Sequence, residues 1–322
     1  MQLKEITLED LQPEAFIKEQ VAAIRSAVGG TGTAVNALSG GVDSSTVTLL
    51  GHRALGDRLK TYFIENGLMR QGEPQRIVAL FTKLGIAVEL IDAREAFFTA
   101  LKGLTDPEEK REAITQTFYK AVFGKLVRAS DAEYLLQGTN YTDVEETVAG
   151  IKRQHNILAQ LGIDTQAAFG YTVLEPLIQL RKPAVRVVAK ALGLPAEIYT
   201  RPPFPGPALA ARIIGEVTPG GVAVVRAATQ LVEEELRHSD AFQYLAILHE
   251  DRVTGMRAGR REYGMQIEVR CWDSTDAQLG TPTRLSYEVL ERLADRITTE
   301  LPEVVSVTYN ITKKPPSTIE AV

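Results

Sequence analysis

The chain has 322 residues, 44% of them hydrophobic and 24% charged, a length that accommodates two domains and a large core. Its net charge of −5 gives no basic footprint, so nucleic acid is not expected as a partner. The single cysteine, Cys271, excludes an internal disulfide, a thiolate metal cluster and a persulfide-carrying cysteine pair. Met1 to Pro13 lacks the apolar core of a signal peptide and no apolar run reaches transmembrane length, so a cytoplasmic protein without a membrane partner is expected.

Glu14 to Val28 carries apolar residues at helical spacing. Thr33 to Leu38 is short and largely apolar, as a buried strand of a parallel sheet should be. Ser39-Gly40-Gly41-Val42-Asp43-Ser44-Ser45 follows at once, and Thr46 to Leu55 reads as a helix opening out of that loop. Adjacent glycines allow positive φ and bare their amides. Strand, amide-rich loop and helix N-terminus together make a phosphate site, to which Ser39, Ser44 and Ser45 add hydroxyl donors. The loop lacks the Gly-Lys-Ser/Thr ending of a Walker A motif.

Lys60 to Ile64 is a second strand, and Glu65 and Asn66 at its end belong near a nucleotide, because ligands of open α/β sheets sit at strand C-termini. Pro74 to Leu84 is helical, and Ala87 to Ile91 is a third strand. Arg94 to Leu104 and Asp106 to Ser130 form a long helical stretch, with Asp106 as N-cap and Pro107 at the first helical position. Glu108, Glu109, Lys110, Arg111 and Glu112 read as a solvated face of that helix. Glu133 to Leu136 is a fourth strand, and Gln137-Gly138-Thr139-Asn140 again puts small and polar groups at a strand end. This alternation predicts a doubly wound parallel sheet.

Ile151 to Phe169, with Lys152, Arg153, Gln154, His155 and Asn156, reads as a polar loop or lid. Lys182 stands just before a helix opened by Pro183, where it can meet phosphate. Arg201-Pro202-Pro203-Phe204-Pro205-Gly206-Pro207 cannot be helix or central strand and marks the domain boundary. Beyond it, helices at Val222 to Arg237 and Ser286 to Leu301 alternate with strands at Gly264 to Cys271 and Val304 to Ile311. Ala241 to Leu248 is strand or helix on pattern alone. The result is a smaller C-terminal α+β domain.

The loop resembles the Ser-Gly-Gly-x-Asp-Ser-Ser pyrophosphate loop of the N-type ATP pyrophosphatases, an adenine nucleotide alpha hydrolase-like fold. That resemblance implies ATP cleavage between the α and β phosphates, with Asp43 as a Mg²⁺ ligand because a hard cation prefers carboxylate oxygen. Glu65-Asn66-Gly67-Leu68-Met69-Arg70, Leu101 to Arg111, Gln137-Gly138-Thr139, Pro203 to Pro207 and Ile311 to Glu320 narrow the resemblance to the GMP synthetase family. It implies an ATP pyrophosphatase domain over residues 1–205 and a dimerisation domain over 206–322, acting as a homodimer on xanthosine 5′-phosphate. The glutaminase domain of one-chain enzymes is absent from this sequence, so ammonia or a separate glutamine amidotransferase subunit would supply nitrogen.

The resemblance assigns the loop residues Ser39, Gly40, Gly41, Val42, Asp43, Ser44 and Ser45 to pyrophosphate together with Lys182, and Glu65, Asn66, Gly138 and Thr139 to the nucleotide. Arg212, Lys314, Glu320, Asp143 and His155 fall to the acceptor. Some segments depart from the family pattern: Arg153-Gln154-His155-Asn156 replaces Ser-His-His-Asn, and Ala258-Gly259-Arg260-Arg261 lacks the aspartate of Gly-Asp-Gly-Arg. Two other readings therefore stay open on the sequence, a paralogue that adenylates another heterocyclic carbonyl and a non-catalytic ATP-binding protein.

Overall fold

The computed structural model describes residues 3–148, 171–201, 204–275 and 277–321. Its contacts divide the chain into two compact units. The first comprises Met1–Ile64, Pro74–Asp92 and Phe118–Arg201; the second comprises Glu65–Glu73, Ala93–Thr117 and Pro202–Val322.

The first sheet runs through β1 (Ala34–Ala37), β2 (Leu59–Glu65), β3 (Val88–Asp92), β4 (Tyr134–Leu136) and β5 (Thr172–Leu174) in the spatial order β3-β2-β1-β4-β5. β1 pairs in parallel with β2 and β4, and β4 with β5. The chain leaves β1 toward one edge and returns to β4 on the other side, so the topological switch point lies between β1 and β4. The helices α1 (Pro13–Val28), α2 (Val42–Leu55) and α3 (Glu73–Lys83) alternate with β1 to β3, as the doubly wound reading expects. α2 starts at Val42, four residues before the expected start, so Val42 to Ser45 are its first turn.

Between β3 and β4, α4 (Arg94–Leu101) and α5 (Pro107–Gln116) are followed by a π-helical turn at Thr117–Phe123 and by α6 (Gly124–Ala129). The stretch from Asp106 to Ser130 is thus helical nearly throughout, as expected, with the π-helical turn set inside it. Asp106 caps α5 through its carboxylate, which accepts from the Glu108 and Glu109 amides. Lys110 corrects the solvated-face reading: its side chain is 1% exposed and Nζ donates to the Ile213 carbonyl at 2.9 Å. Burial pulls its ammonium below the ordinary lysine pKa, and Glu250 and Asp106 partly restore it.

The connection after β4 contains α7 (Tyr141–Val148), and α8 (Lys182–Ala191) and α9 (Ala196–Tyr199) follow β5. The expected lid, with Arg153, Gln154, His155 and Asn156, lies outside the described residues. No helix among the described residues is long and apolar enough to cross a membrane.

The second unit holds β6 (Ile213–Ile214), α10 (Pro219–Leu236), β7 (Gln243–Arg257), β8 (Arg260–Asp273), β9 (Thr281–Pro282), α11 (Tyr287–Glu300) and β10 (Val304–Tyr309). The main strand order is β10-β8-β7-β6, with β9 on β8. β7 and β8 form a long antiparallel hairpin, which settles the Ala241 to Leu248 ambiguity as strand. The C-terminal segment packs onto this sheet: Ile319 is 7% exposed and clusters with Leu245, Ile247 and Trp272. Arg270 Nη1 donates to the Thr318 carbonyl at 2.8 Å, and its Nε donates to Glu268 at 2.5 Å. Burial alone would raise the Glu268 carboxyl, but hydrogen bonds from His249, Arg270 and Asn310 bring it down to about 2.

Lys110→Met keeps the aliphatic stem but leaves the Ile213 carbonyl without its donor. A buried acceptor so orphaned costs about 1–3 kcal/mol. The expected outcome is a lower urea midpoint with an unchanged m-value, whereas a solvated Lys110 would give no shift.

Candidate active site

The loop after β1 and the turn after β4 flank the switch point of the first sheet. Gly40 takes φ +79°, and a Cβ there would come within 2.9 Å of the Ile77 side chain. Gly41, the N-cap of α2, is ordinary extended backbone at φ −73°, so only one of the paired glycines is needed for its conformation. Ser44 closes the loop on itself. Its Oγ accepts from the Ser39 amide at 3.2 Å, lies 2.9 Å from Ser39 Oγ and donates to the Gly41 carbonyl at 3.2 Å. Gly138 lies against this turn: a Cβ there would come within 3.1 Å of the Asp43 carbonyl carbon and 3.2 Å of the Ser44 nitrogen. The turn after β4 approaches the loop this closely because Gly138 has no side chain.

Lys182 is the first residue of α8, and its Nζ lies 2.8 Å from Asp43 Oδ2. Burial pulls the Lys182 ammonium down, but Asp43, by charge and hydrogen bond, and Asp143, by charge, outweigh it and raise the pKa above the ordinary lysine value. Asn140 caps α7, its Oδ1 accepting from the Thr142 amide at 3.0 Å and the Asp143 amide at 3.2 Å, and Asp143 Oδ2 accepts in return from the Asn140 amide at 3.0 Å. Thr139 is fully buried and hydrogen-bonds Glu175. Burial raises the Glu175 carboxyl, the Thr139 hydrogen bond lowers it and Asp143 raises it further, leaving it above the usual carboxylate range. Arg181 is committed elsewhere, to Glu5 at 2.9 Å and Glu145 at 2.6 Å, so Lys182 is the cation that faces Asp43.

Two atoms at this site have no hydrogen-bond partner among the described residues although both are buried: Asp43 Oδ1 and Ser45 Oγ. Such groups are costly unless a ligand meets them. A hydroxyl and unpaired amides at the N-terminus of a 14-residue helix suit a phosphate. A free carboxylate oxygen beside that phosphate suits Mg²⁺, which binds through one or two carboxylates, phosphate oxygens and water. No group of three or more His, Cys, Asp or Glu among the described residues forms a cage for a metal on its own.

The remaining expected residues belong to the second unit, apart from His155, which lies outside the described residues. Glu65 Oε1 accepts from the Gly67 amide at 2.8 Å and Asn66 Oδ1 from the Leu68 amide at 2.9 Å, so both side chains shape their own turn. Arg226, which the sequence reading did not single out, holds the same turn by donating from Nε to the Met69 carbonyl at 2.8 Å. Arg212 is 1% exposed and forms a two-pronged pair with Glu320, with both contacts at 3.2 Å. Gln243 adds a 2.8 Å hydrogen bond to Glu320. Lys314 Nζ donates to the Ala277 carbonyl at 2.6 Å. The structure therefore brings Arg212 and Glu320 together and places Lys314 against the Ala277 turn.

Sequence reading also missed the polar group beneath the loop. Asn36 is 1% exposed in the middle of β1, and it links Thr61 of β2 to Thr48 of α2. One polar residue in an otherwise apolar strand was the available signal.

A parallel sheet whose switch point carries a Ser-Gly-Gly loop, an orphaned carboxylate oxygen and a facing lysine defines the class of PP-loop ATP pyrophosphatases. In agreement, the family model described as NAD synthase matches residues 13–206, and that described as GMP synthase C terminal domain matches residues 230–321. A GMP synthase (glutamine-hydrolyzing) subunit of Archaeoglobus fulgidus is 48% identical over 95% of this chain and 98% of its own length. The corresponding subunit of Methanopyrus kandleri is 43% identical over 96% of the chain and 98% of its own length. GMP synthase (glutamine-hydrolyzing) of Pyrobaculum aerophilum is 43% identical over 96% of the chain but only 62% of its own, longer, sequence. The chain belongs to the GMP synthase family.

Asp43→Asn and Lys182→Ala are each expected to cut pyrophosphate release by about 100-fold or more, the scale of losing one charged group at a developing transition-state charge. Circular dichroism of both variants should match the parent, since Lys182 is half-exposed and Asp43 partly so. Turnover at the parent rate in either variant would remove that residue from the site.

Proposed function

We propose that this chain aminates xanthosine 5′-phosphate to GMP at the expense of ATP, as the synthetase subunit served by a separate glutaminase subunit. The reaction class is that of a ligase forming a C–N bond. The observation that carries the reading is similarity to GMP synthase subunits along nearly the whole of both sequences, which favours this acceptor over another carbonyl and over a non-catalytic role. It is supported by the orphaned Asp43 and Ser45 oxygens at the mouth of α2.

The chemistry balances as follows. The O2 oxygen of the xanthine ring attacks the α-phosphorus of ATP, and the α–β bridging bond breaks to release pyrophosphate. Ammonia then adds to C2 of the ring, and AMP departs carrying the former O2 oxygen. A carbonyl oxygen is a poor leaving group until adenylation makes it one, so positioning and charge neutralisation dominate.

Ser39 to Ser45 hold the β and γ phosphates through amides and hydroxyls, and Lys182 meets the charge that gathers on pyrophosphate as the bond breaks. Asp43 would hold Mg²⁺, which supplies further neutralisation of the phosphates when bound. Glu65, Asn66, Gly138 and Thr139 contact the nucleotide. Lys314 and Arg212 serve the acceptor's phosphate, Glu320 accepts from ring N–H groups, and Asp143 and His155 complete the acceptor contacts. The ATP pyrophosphatase domain is assigned to residues 1–205 and the C-terminal domain to 206–322, in a cytoplasmic homodimer.

Pyrophosphate release from ATP and ammonia tests the reading. Release that requires xanthosine 5′-phosphate, and that accepts glutamine in place of ammonia only when a glutaminase subunit is added, is the expected result. Release indifferent to the nucleotide would overturn it. Glu320→Gln should raise the KM for xanthosine 5′-phosphate about tenfold or more, the worth of a charge-assisted hydrogen bond, with the KM for ATP unchanged. An unchanged acceptor KM would remove Glu320 from the acceptor site.

A further inference from the structure

Beneath the loop runs a single chain of buried hydrogen bonds that crosses from the sheet into α2. Thr61 Oγ1 of β2 donates to Asn36 Oδ1 of β1 at 2.7 Å. Asn36 Nδ2 donates to Thr48 Oγ1 of α2 at 2.6 Å, and Thr48 Oγ1 donates to the Ser44 carbonyl at 2.8 Å. Asn36 is 1% exposed, Thr48 is fully buried and Thr61 is 3% exposed. Ser44 in turn closes the loop through Ser39 and Gly41.

The three links run in one direction, from β2 through β1 to the first turn of α2. Each threonine hydroxyl has a single proton, and in both cases it is already directed, Thr61's to Asn36 and Thr48's to Ser44. Only the amide can supply the donor that Thr48 accepts. Removing the Thr48 hydroxyl leaves the buried Asn36 amide without the acceptor it donates to, which a low-dielectric interior penalises. Apolar contacts such as those of Val47 and Leu50 hold α2 on the sheet but do not by themselves fix its rotation or its advance along its axis. The clearance at Gly138, with no room for a methyl beside Asp43, shows how narrow the permitted placement is.

We infer that Asn36 and Thr48 are positioning residues for the pyrophosphate loop. Through Ser44 they set where the first turn of α2, and with it Asp43 and Ser45, stands relative to the strand end. The inference rests on the loop being the pyrophosphate site proposed above. Displacements of less than about 1 Å in such a cradle act on the departing pyrophosphate more than on ground-state binding.

Thr48→Val is near-isosteric and removes both links, while Thr48→Ser retains the hydroxyl. In the full-length protein, Thr48→Val is expected to lower kcat for pyrophosphate release about tenfold with the ATP KM within about threefold of the parent, and Thr48→Ser to restore kcat to within about twofold. A merely structural role would lower Tm and the active fraction together and leave kcat per folded molecule unchanged. Thr61→Val, which cuts the chain at its far end, is the variant to read if Thr48→Val does not fold, and a severalfold loss of kcat is expected there. Parent-like kcat in the folded variant overturns the inference.

A parent protein that releases no pyrophosphate would instead overturn the functional reading. In that case amide hydrogen exchange at Gly41 to Ser45 reads the loop without turnover. Exchange about tenfold faster in Thr48→Val but not in Thr48→Ser is expected, and unchanged exchange refutes the positioning role.

Discussion

The first turn of α2 gathers more hydrogen-bond donors than the described residues satisfy, and much of the first unit is arranged around that imbalance. A helix N-terminus leaves its first amides without intrahelical acceptors. Here the N-cap is a glycine that contributes no side-chain acceptor, and Ser45 adds a buried hydroxyl without a partner among the described residues. An N-cap aspartate or serine would have quenched part of this field. The sheet topology then places that turn at the switch point, where the strand C-termini open toward solvent. In the function proposed, a phosphate completes the arrangement.

The second unit solves a different problem, that of keeping a chain terminus in place. Termini fray unless something holds them. Arg212 and Arg270 are both largely buried and both reach the segment around Glu320, one through its carboxylate and the other through main-chain carbonyls. Two arginines converging in a poorly solvated region need compensating negative charge, and Glu268 and Glu320 supply it. The low pKa of Glu268 follows from the same network, because three donors point at its ionised form. Ile319 anchors the segment with apolar contact where the arginines anchor it with charge.

What could be read from the sequence was what depends on neighbours in the chain. The strand, loop and helix from Ala34 to Leu55 were legible because apolar runs, glycines and small polar residues follow one another within a single unit. Asp106 and Pro107 announced their cap for the same reason. The burial of Lys110 was not legible: its partner, the Ile213 carbonyl, is 103 positions away, and on a helix dense with charge a lysine looks solvated. β5 is only three residues long, too short for alternation to show. Arg212 and Glu320 were singled out as separate ligand contacts, and their mutual pairing appears only once β6 and the C-terminal segment share a fold.

The pairing of Lys182 with Asp43 has a consequence for how the site changes state. In the chain alone each group neutralises the other at 2.8 Å, and the charge of Asp43 helps keep Lys182 protonated. In the function proposed each group has a second claimant, a phosphate oxygen for the ammonium and a hard cation for the carboxylate. A phosphate arriving without its cation would compete with Asp43 for Lys182 and would feel the carboxylate's repulsion. A cation arriving alone would face Lys182 across the same gap. Opposite charges that arrive together cancel both penalties, so the pair discriminates in favour of the metal-complexed nucleotide before any chemistry occurs. The orphaned Oδ1, distinct from the oxygen that holds Lys182, gives that cation a coordination point without first breaking the ion pair.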